Sequence, residues 1–350
     1  MDIWGEIQSL KYTQTFENKK FNEYDLSNLK EAFENDTSFM LYLDDINKFA
    51  VSWWVSPKRT RSYPYARVYN TLAYAGKRVT VIPVYKDEGK DGDRDFLQWD
   101  TISLMSLLGV NVIISYYENA DKSIRYKNKI TNQRFDTEYI ASEIKRLVSY
   151  QSDPLHWNLE QVDKIIDLTK KAVGAYRKIS DETGVIMHSE KNILKKIDYL
   201  MQYKENFMLS SRKLARAAQK REVVTVQPKE KIYANLKASV TITNFLGGNY
   251  CFTADEAVVK NNLLYLIEAK HSSNSTIPSI DDIKDGLIKM ILFSNLKVAT
   301  IEGEDYRIIP ILKLTGQNNG LTYKDKIILT SLGEEAEING FIIEYDGGVL

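Results

Sequence analysis

The stretch CFTADEAVVKNNLLYLIEAKHS, residues 251–272, constrains the fold more than any other part of this 350-residue chain. Asp255 opens a short apolar run from Ala257 to Val259, and Asn261-Asn262 is a turn signal. Leu263 to Ile267 then reads as a strand that ends in Glu268 and Lys270. Side chains two apart on a strand project to one face, so Glu268 and Lys270 share a point in space. A hairpin that folds back brings Asp255 to the same point. Charged groups at the end of an apolar strand are costly unless they are paired or put to use.

Two carboxylates beside an ammonium can hold a hard divalent cation and keep a lysine next to a bound water. Residues Asp255, Glu268-Ala269-Lys270 and their spacing resemble the PD-(D/E)XK nuclease superfamily, and type II restriction endonucleases in particular. The resemblance implies that Asp255 and Glu268 ligate Mg2+ (with Mn2+ as a substitute), the Ala269 carbonyl being a further ligand. It implies that Lys270 orients or deprotonates the attacking water. Ala254 stands where the family pattern has proline, a loosely kept position. The match covers about the C-terminal third of the chain.

Glu-x-Lys alone carries little information, because Glu17-Asn18-Lys19, Glu88-Gly89-Lys90 and Glu143-Ile144-Lys145 have it too. The first follows no strand, and the third lies in a helical pattern where i and i+2 point apart. Glu88 follows the strand-like run VTVIPVY but sits in the loop KDEGKDGDRD, with no Asp-led hairpin upstream. Extended to KDEGKDGDRDFLQWD, that loop gathers Asp87, Glu88, Asp91, Asp93, Asp95 and Asp100 around two glycines. It lacks the spacing of a calcium loop and reads as an acidic turn before it reads as a second metal site.

After Lys270, HSSNSTIPS is a polar loop, and SIDDIKDGLIKMILFSNL has the period of an amphipathic helix capped by Ser279 or Asp281. Strand-like runs follow at KVATIEG, YRIIPILKL, KIILTS and GFIIEY. Hairpin, strand, helix, strand is the core order that the resemblance implies. The expected class is therefore α/β. A restriction-endonuclease-like core, a mixed sheet flanked by helices, occupies residues 223–350. A mixed α/β domain over 1–150, serving DNA recognition or dimerisation, and a helical segment over 151–222 precede it.

Formal net charge is zero, which argues against a broad nonspecific nucleic-acid binder but not against a specific one. Two basic stretches stand out. WWVSPKRTRSYPYAR offers Lys58, Arg59, Arg61, Tyr63 and Arg67 among Trp53, Trp54 and Tyr65, suited to base edges, phosphates or stacking, or else to packing inside the protein. MLSSRKLARAAQKREV places Arg212, Arg216 and Lys220 on one helical face, as a phosphate-tracking surface or a plain solvated one. On the helix after the hairpin, Lys284 and Lys289 are further candidates for phosphate contact.

One cysteine and three histidines make an internal disulfide impossible and a structural zinc site unexpected, which fits a reducing cytoplasm. No membrane-length apolar run and no GxxxxGK[ST] occur, so neither a membrane nor a nucleoside triphosphate is an expected partner. The resemblance implies a Mg2+-dependent, sequence-specific hydrolase of double-stranded DNA that acts as a homodimer, because a palindromic site is matched by two-fold protein symmetry. Two alternatives stay open: a repair or defence nuclease acting on branched or single-stranded DNA, and a DNA-binding protein without catalysis. A third acidic ligand, with Glu222 and Glu230 upstream of the hairpin, is not assigned by the sequence.

Overall fold

The computed structural model describes the chain except residues 17–19, 58–63, 191–192, 194, 199, 203–204, 206–235, 245–248 and 318–319. The chain is mixed α/β, with sheets flanked by helices. It divides into two compact units, one of residues 20–205 and one that joins residues 1–19 to residues 206–350. This differs from a division at 150 and 222. The helices after residue 150 pack with the N-terminal unit, and the opening strand β1 (Asp2–Ile7) belongs to the C-terminal one.

In the unit of residues 20–205, β2 (Glu23–Asp25), β3 (Ser38–Tyr42), β4 (Lys48–Trp53), β5 (Arg78–Pro83) and β8 (Asn111–Ser115) form one sheet in that order. β3 and β4 are antiparallel, and the other neighbours run parallel. Parallel strands are covered on both faces, which is why β5 and β8 are Val/Ile-rich and buried at successive positions rather than at alternate ones. Short helices α1 (Leu29–Asn35), α2 (Pro64–Thr71) and α3 (Trp99–Leu107) lie among these strands. Two small ribbons branch off: β6 (Tyr85–Asp87) with β7 (Arg94–Phe96), and β9 (Tyr117–Lys122) with β10 (Ile130–Phe135). Helices α4 (Thr137–Val148), α5 (Pro154–Asp163) and α6 (Ile165–Thr183) also belong to this unit. Asp136 and Asp153 cap the first two through their side chains, and Gly184, at φ 66°, ends the third. Phe39, Val51, Val81, Ile113 and Ile144 meet Trp157 in the core, each worth roughly 1.5–3 kcal/mol of burial.

The other unit is built on a meander. β11 (Leu236–Asn244) pairs antiparallel with β12 (Asn249–Lys260), and β12 with β13 (Leu263–His271). Asn261 and Asn262 both take positive φ, 50° and 60°, the conformation of a tight hairpin turn that asparagine tolerates better than most residues. Helix α7 (Ile280–Ser294) then crosses over and returns the chain to β15 (Glu304–Thr315), which lies parallel to β13. Ser279 caps α7 by accepting from the Asp282 amide at 3.1 Å. Ile283, Leu287, Met290 and Ile291 are buried, as the period requires.

The strand β14 (Ala299–Ile301) joins β15 to β1, and β1 lies parallel to β11. Because β15 also pairs with β13, the ladder β13-β12-β11-β1-β14-β15 closes on itself. Helix α8 (Tyr323–Asn339) leads to β16 (Ile342–Tyr345), and β17 (Gly348–Val349) turns back on it. The run KIILTS, expected as a strand, lies inside α8. A capping box between Thr322 and Asp325 starts that helix, and its apolar period continues through Leu332 and Ala336. No helix of the described residues is long and apolar enough to cross a membrane.

Candidate active site

The β12–β13 ladder pairs Lys260 with Leu263 and runs back to Glu256 opposite Ile267. There the strands part. Continued by one step, the register sets Asp255 opposite Glu268, so their side chains share a face. The Asp255 carboxylate bridges the opening: Oδ2 accepts the Ala269 N–H at 3.0 Å. In an extended strand the N–H and C=O of one residue face the same neighbouring strand, so the Ala269 carbonyl also looks into this gap.

Glu268 is 2 % exposed, yet both of its oxygens have cations. Lys270 Nζ lies 3.1 Å from Oε1, and Lys289 Nζ lies 2.6 Å from Oε2. Lys289 also donates to the Thr253 carbonyl at 2.8 Å, and so spans the gap between the two strands. Lys270 has a second carboxylate, Asp285, at 2.6 Å. The resulting chain of alternating charges runs Lys289, Glu268, Lys270, Asp285, with Asp255 beside it.

Burial pushes the Glu268 carboxyl above its ordinary value, against the pull of Lys289 and Lys270, and the nearby charge of Asp255 pushes it further. Burial alone would lower Lys270, but Asp285 and Glu268 outweigh it and hold the ammonium above the usual lysine value.

Two members of this cluster were not assigned to it by the sequence. Asp285 and Lys289 are four apart on α7, hence on one face of that helix. Gly286 between them is the visible signal. A Cβ there would stand 2.6 Å from Leu312 Cδ1 and 3.3 Å from Lys270 Cε, so the missing side chain lets α7 settle against Lys270. Lys289, expected to reach for phosphate, is held by Glu268 and Thr253. Lys284, the other candidate for phosphate contact, is 3 % exposed.

Among the described residues no three His, Cys, Asp or Glu side chains gather to hold a metal ion. The donors on offer are two carboxylates, Asp255 and Glu268, and the Ala269 carbonyl. Such a set matches Mg2+, which keeps several waters and commonly takes one or two carboxylates together with substrate phosphate oxygens. It does not match an ion that needs a complete protein cage.

The other expected contacts fall elsewhere. Lys58, Arg59, Arg61, Tyr63, Arg212, Arg216 and Lys220 lie outside the described residues, as do Glu222 and Glu230. Arg67 is engaged inside its own unit, donating to the Trp53 carbonyl at 2.8 Å with its guanidinium 4.6 Å above the Trp53 ring. Trp54 and Tyr65 are packed against each other at 0 % and 5 % exposure, so these two rings are not presented for stacking on bases.

The acidic loop of the N-terminal unit is divided among separate partners. Asp87 pairs with His188 at 2.8 Å, Asp95 accepts from Ser56 at 2.7 Å, and Asp91 accepts the Asn128 N–H at 2.9 Å. Glu88 faces Lys86 at 2.9 Å and Lys129 at 3.0 Å. Burial alone would raise the Glu88 carboxyl, but the two lysines bring it down to about 2.

No family model matches the chain, and comparison with curated proteins and with solved structures likewise yields no match.

Proposed function

We propose that this chain is a Mg2+-dependent nuclease of the PD-(D/E)XK kind, acting as a type II restriction endonuclease on double-stranded DNA. One observation carries the reading: Asp255, Glu268 and Lys270 meet where β12 leaves β13, on a buried strand end. The order of meander, crossover helix and parallel strand supports it, because it is the order that the resemblance implies.

Asp255, Glu268 and the Ala269 carbonyl would hold the ion. When bound, Mg2+ supplies Lewis-acid neutralisation of charge on the phosphodiester, and Mn2+ can substitute. Lys270, kept cationic between Glu268 and Asp285, donates to the attacking water and orients it in line with the scissile bond. Water adds its oxygen to phosphorus and the P–O3′ bond breaks, leaving a 5′-phosphate and a 3′-hydroxyl. A homodimer would place one site on each strand of the duplex. The unit of residues 20–205 would contribute target recognition or dimer contacts.

A second reading has its own support. Both Glu268 oxygens are taken by lysines, as in a structural ion-pair cluster of a DNA-binding protein without catalysis. Incubation with plasmid DNA and Mg2+ or Mn2+, with a chelator control, separates the readings. Discrete bands are expected. A smear points instead to a nonspecific nuclease, and gel shifts without cleavage overturn the enzyme.

A further inference from the structure

The part of the cluster that the proposed chemistry leaves unused is Lys289. Its side chain is 13 % exposed, and its ammonium sits between Glu268 Oε2 and the Thr253 carbonyl. Among the described residues Glu268 is its one carboxylate partner, whereas Lys270 is shared between Glu268 and Asp285. Loss of Glu268 would therefore leave Lys270 an anchor and Lys289 only a carbonyl.

A buried carboxylate cannot stand without a counter-charge. A divalent cation drawn to Glu268 meets an ammonium already at the same oxygen, and two like charges within a few ångströms repel strongly in a site of low dielectric. Asp255, Glu268 and Asp285 against Lys270 and Lys289 leave one net negative charge. A divalent ion makes the set singly positive, and one phosphodiester then brings it to neutrality. Lysine has the flexible stem needed to follow that charge.

Resting on the nuclease reading, we propose that Lys289 is an exchangeable counter-ion: it holds Glu268 while no divalent cation is bound, and the cation releases it toward the scissile phosphate. The residue is thus a positioning group first and a phosphate contact second. It couples ion binding to substrate binding within one helix turn of α7.

The test is calorimetric titration of Mn2+, without DNA, into the wild type, Lys289→Met, Lys289→Arg and Asp255→Ala. Lys289→Met is expected to bind Mn2+ at least about fivefold tighter, because its competitor is gone. Lys289→Arg, which keeps the charge, should stay near wild type. With the ion present, Lys289→Met should also lower the salt dependence of DNA binding by roughly one phosphate contact. Unchanged or weaker Mn2+ binding in folded Lys289→Met overturns the exchange while leaving the nuclease reading intact. A wild type that takes up no Mn2+ that Asp255→Ala abolishes overturns both. If Lys289→Met does not fold, Lys289→Gln serves with the same expected tightening.

Discussion

The two carboxylate-rich regions of this protein look alike in the sequence and behave oppositely in the structure. The loop at Asp87 to Asp95 has the higher density of acid, yet Asp87, Glu88, Asp91 and Asp95 are settled with separate partners, and Glu88 is held down to about 2 by two lysines. The cluster at Asp255 has fewer acids, drawn from two strands and a helix, and its central carboxyl is pushed up by burial. Density along the chain measures how much charge a turn must dissipate. Convergence from distant elements, with incomplete neutralisation, is what leaves chemistry to be done.

Substitution tests this contrast most severely. Asp255→Ala, Glu268→Ala and Lys270→Ala should each lower cleavage by at least about 100-fold, while DNA binding persists. Glu88→Gln and Asp95→Asn should change cleavage by less than about twofold. Equal losses in the two regions, read by plasmid cleavage, would erase the distinction.

Acid sharpens it next. The Glu88 pKa is lowered in the folded protein, so the unfolded chain binds more protons as pH falls from about 4.5 toward about 2. Stability contributed above that window is lost within it. Allowing for solvent screening, the loss is about 1–2 kcal/mol. Denaturant melts followed from pH 5 to pH 2 should show this fall in the wild type and a shallower one in Glu88→Gln. Identical slopes would mean that the lysine pairs contribute nothing.

Among substitutions at the Asp255 cluster, the smallest loss belongs to Gly286. Gly286→Ala puts a methyl group against Leu312 and Lys270, and should lower cleavage by about tenfold, with binding of DNA little changed. A wild-type turnover number in that variant would show that α7 can shift without disturbing Lys270.

Much of this was legible in the residues. Asn261-Asn262 between apolar runs announces the hairpin, and Ser279 before a helical period announces α7. These signals are local, and local turn and cap chemistry is what a sequence displays. The pairing of β1 with β11 is not local, since more than 200 residues separate Ile3 from its partner Val240. KIILTS misleads because a short apolar run fits either period, and only the following turns of α8 decide. Asp285 and Lys289 look like ordinary helix surface until the parallel return of β15 brings α7 across the strand end.

The position of β1 has a consequence for how the molecule is made. Its residues leave the ribosome well before the strands that flank it, because β11 and β14 come from beyond residue 235. Residues 20–205 can consolidate during synthesis, while the first strand waits for both of its neighbours. A fragment cut to begin at residue 206 would carry Asp255, Glu268 and Lys270 and still lack the stave that closes its ring, leaving two raw strand edges open to aggregation.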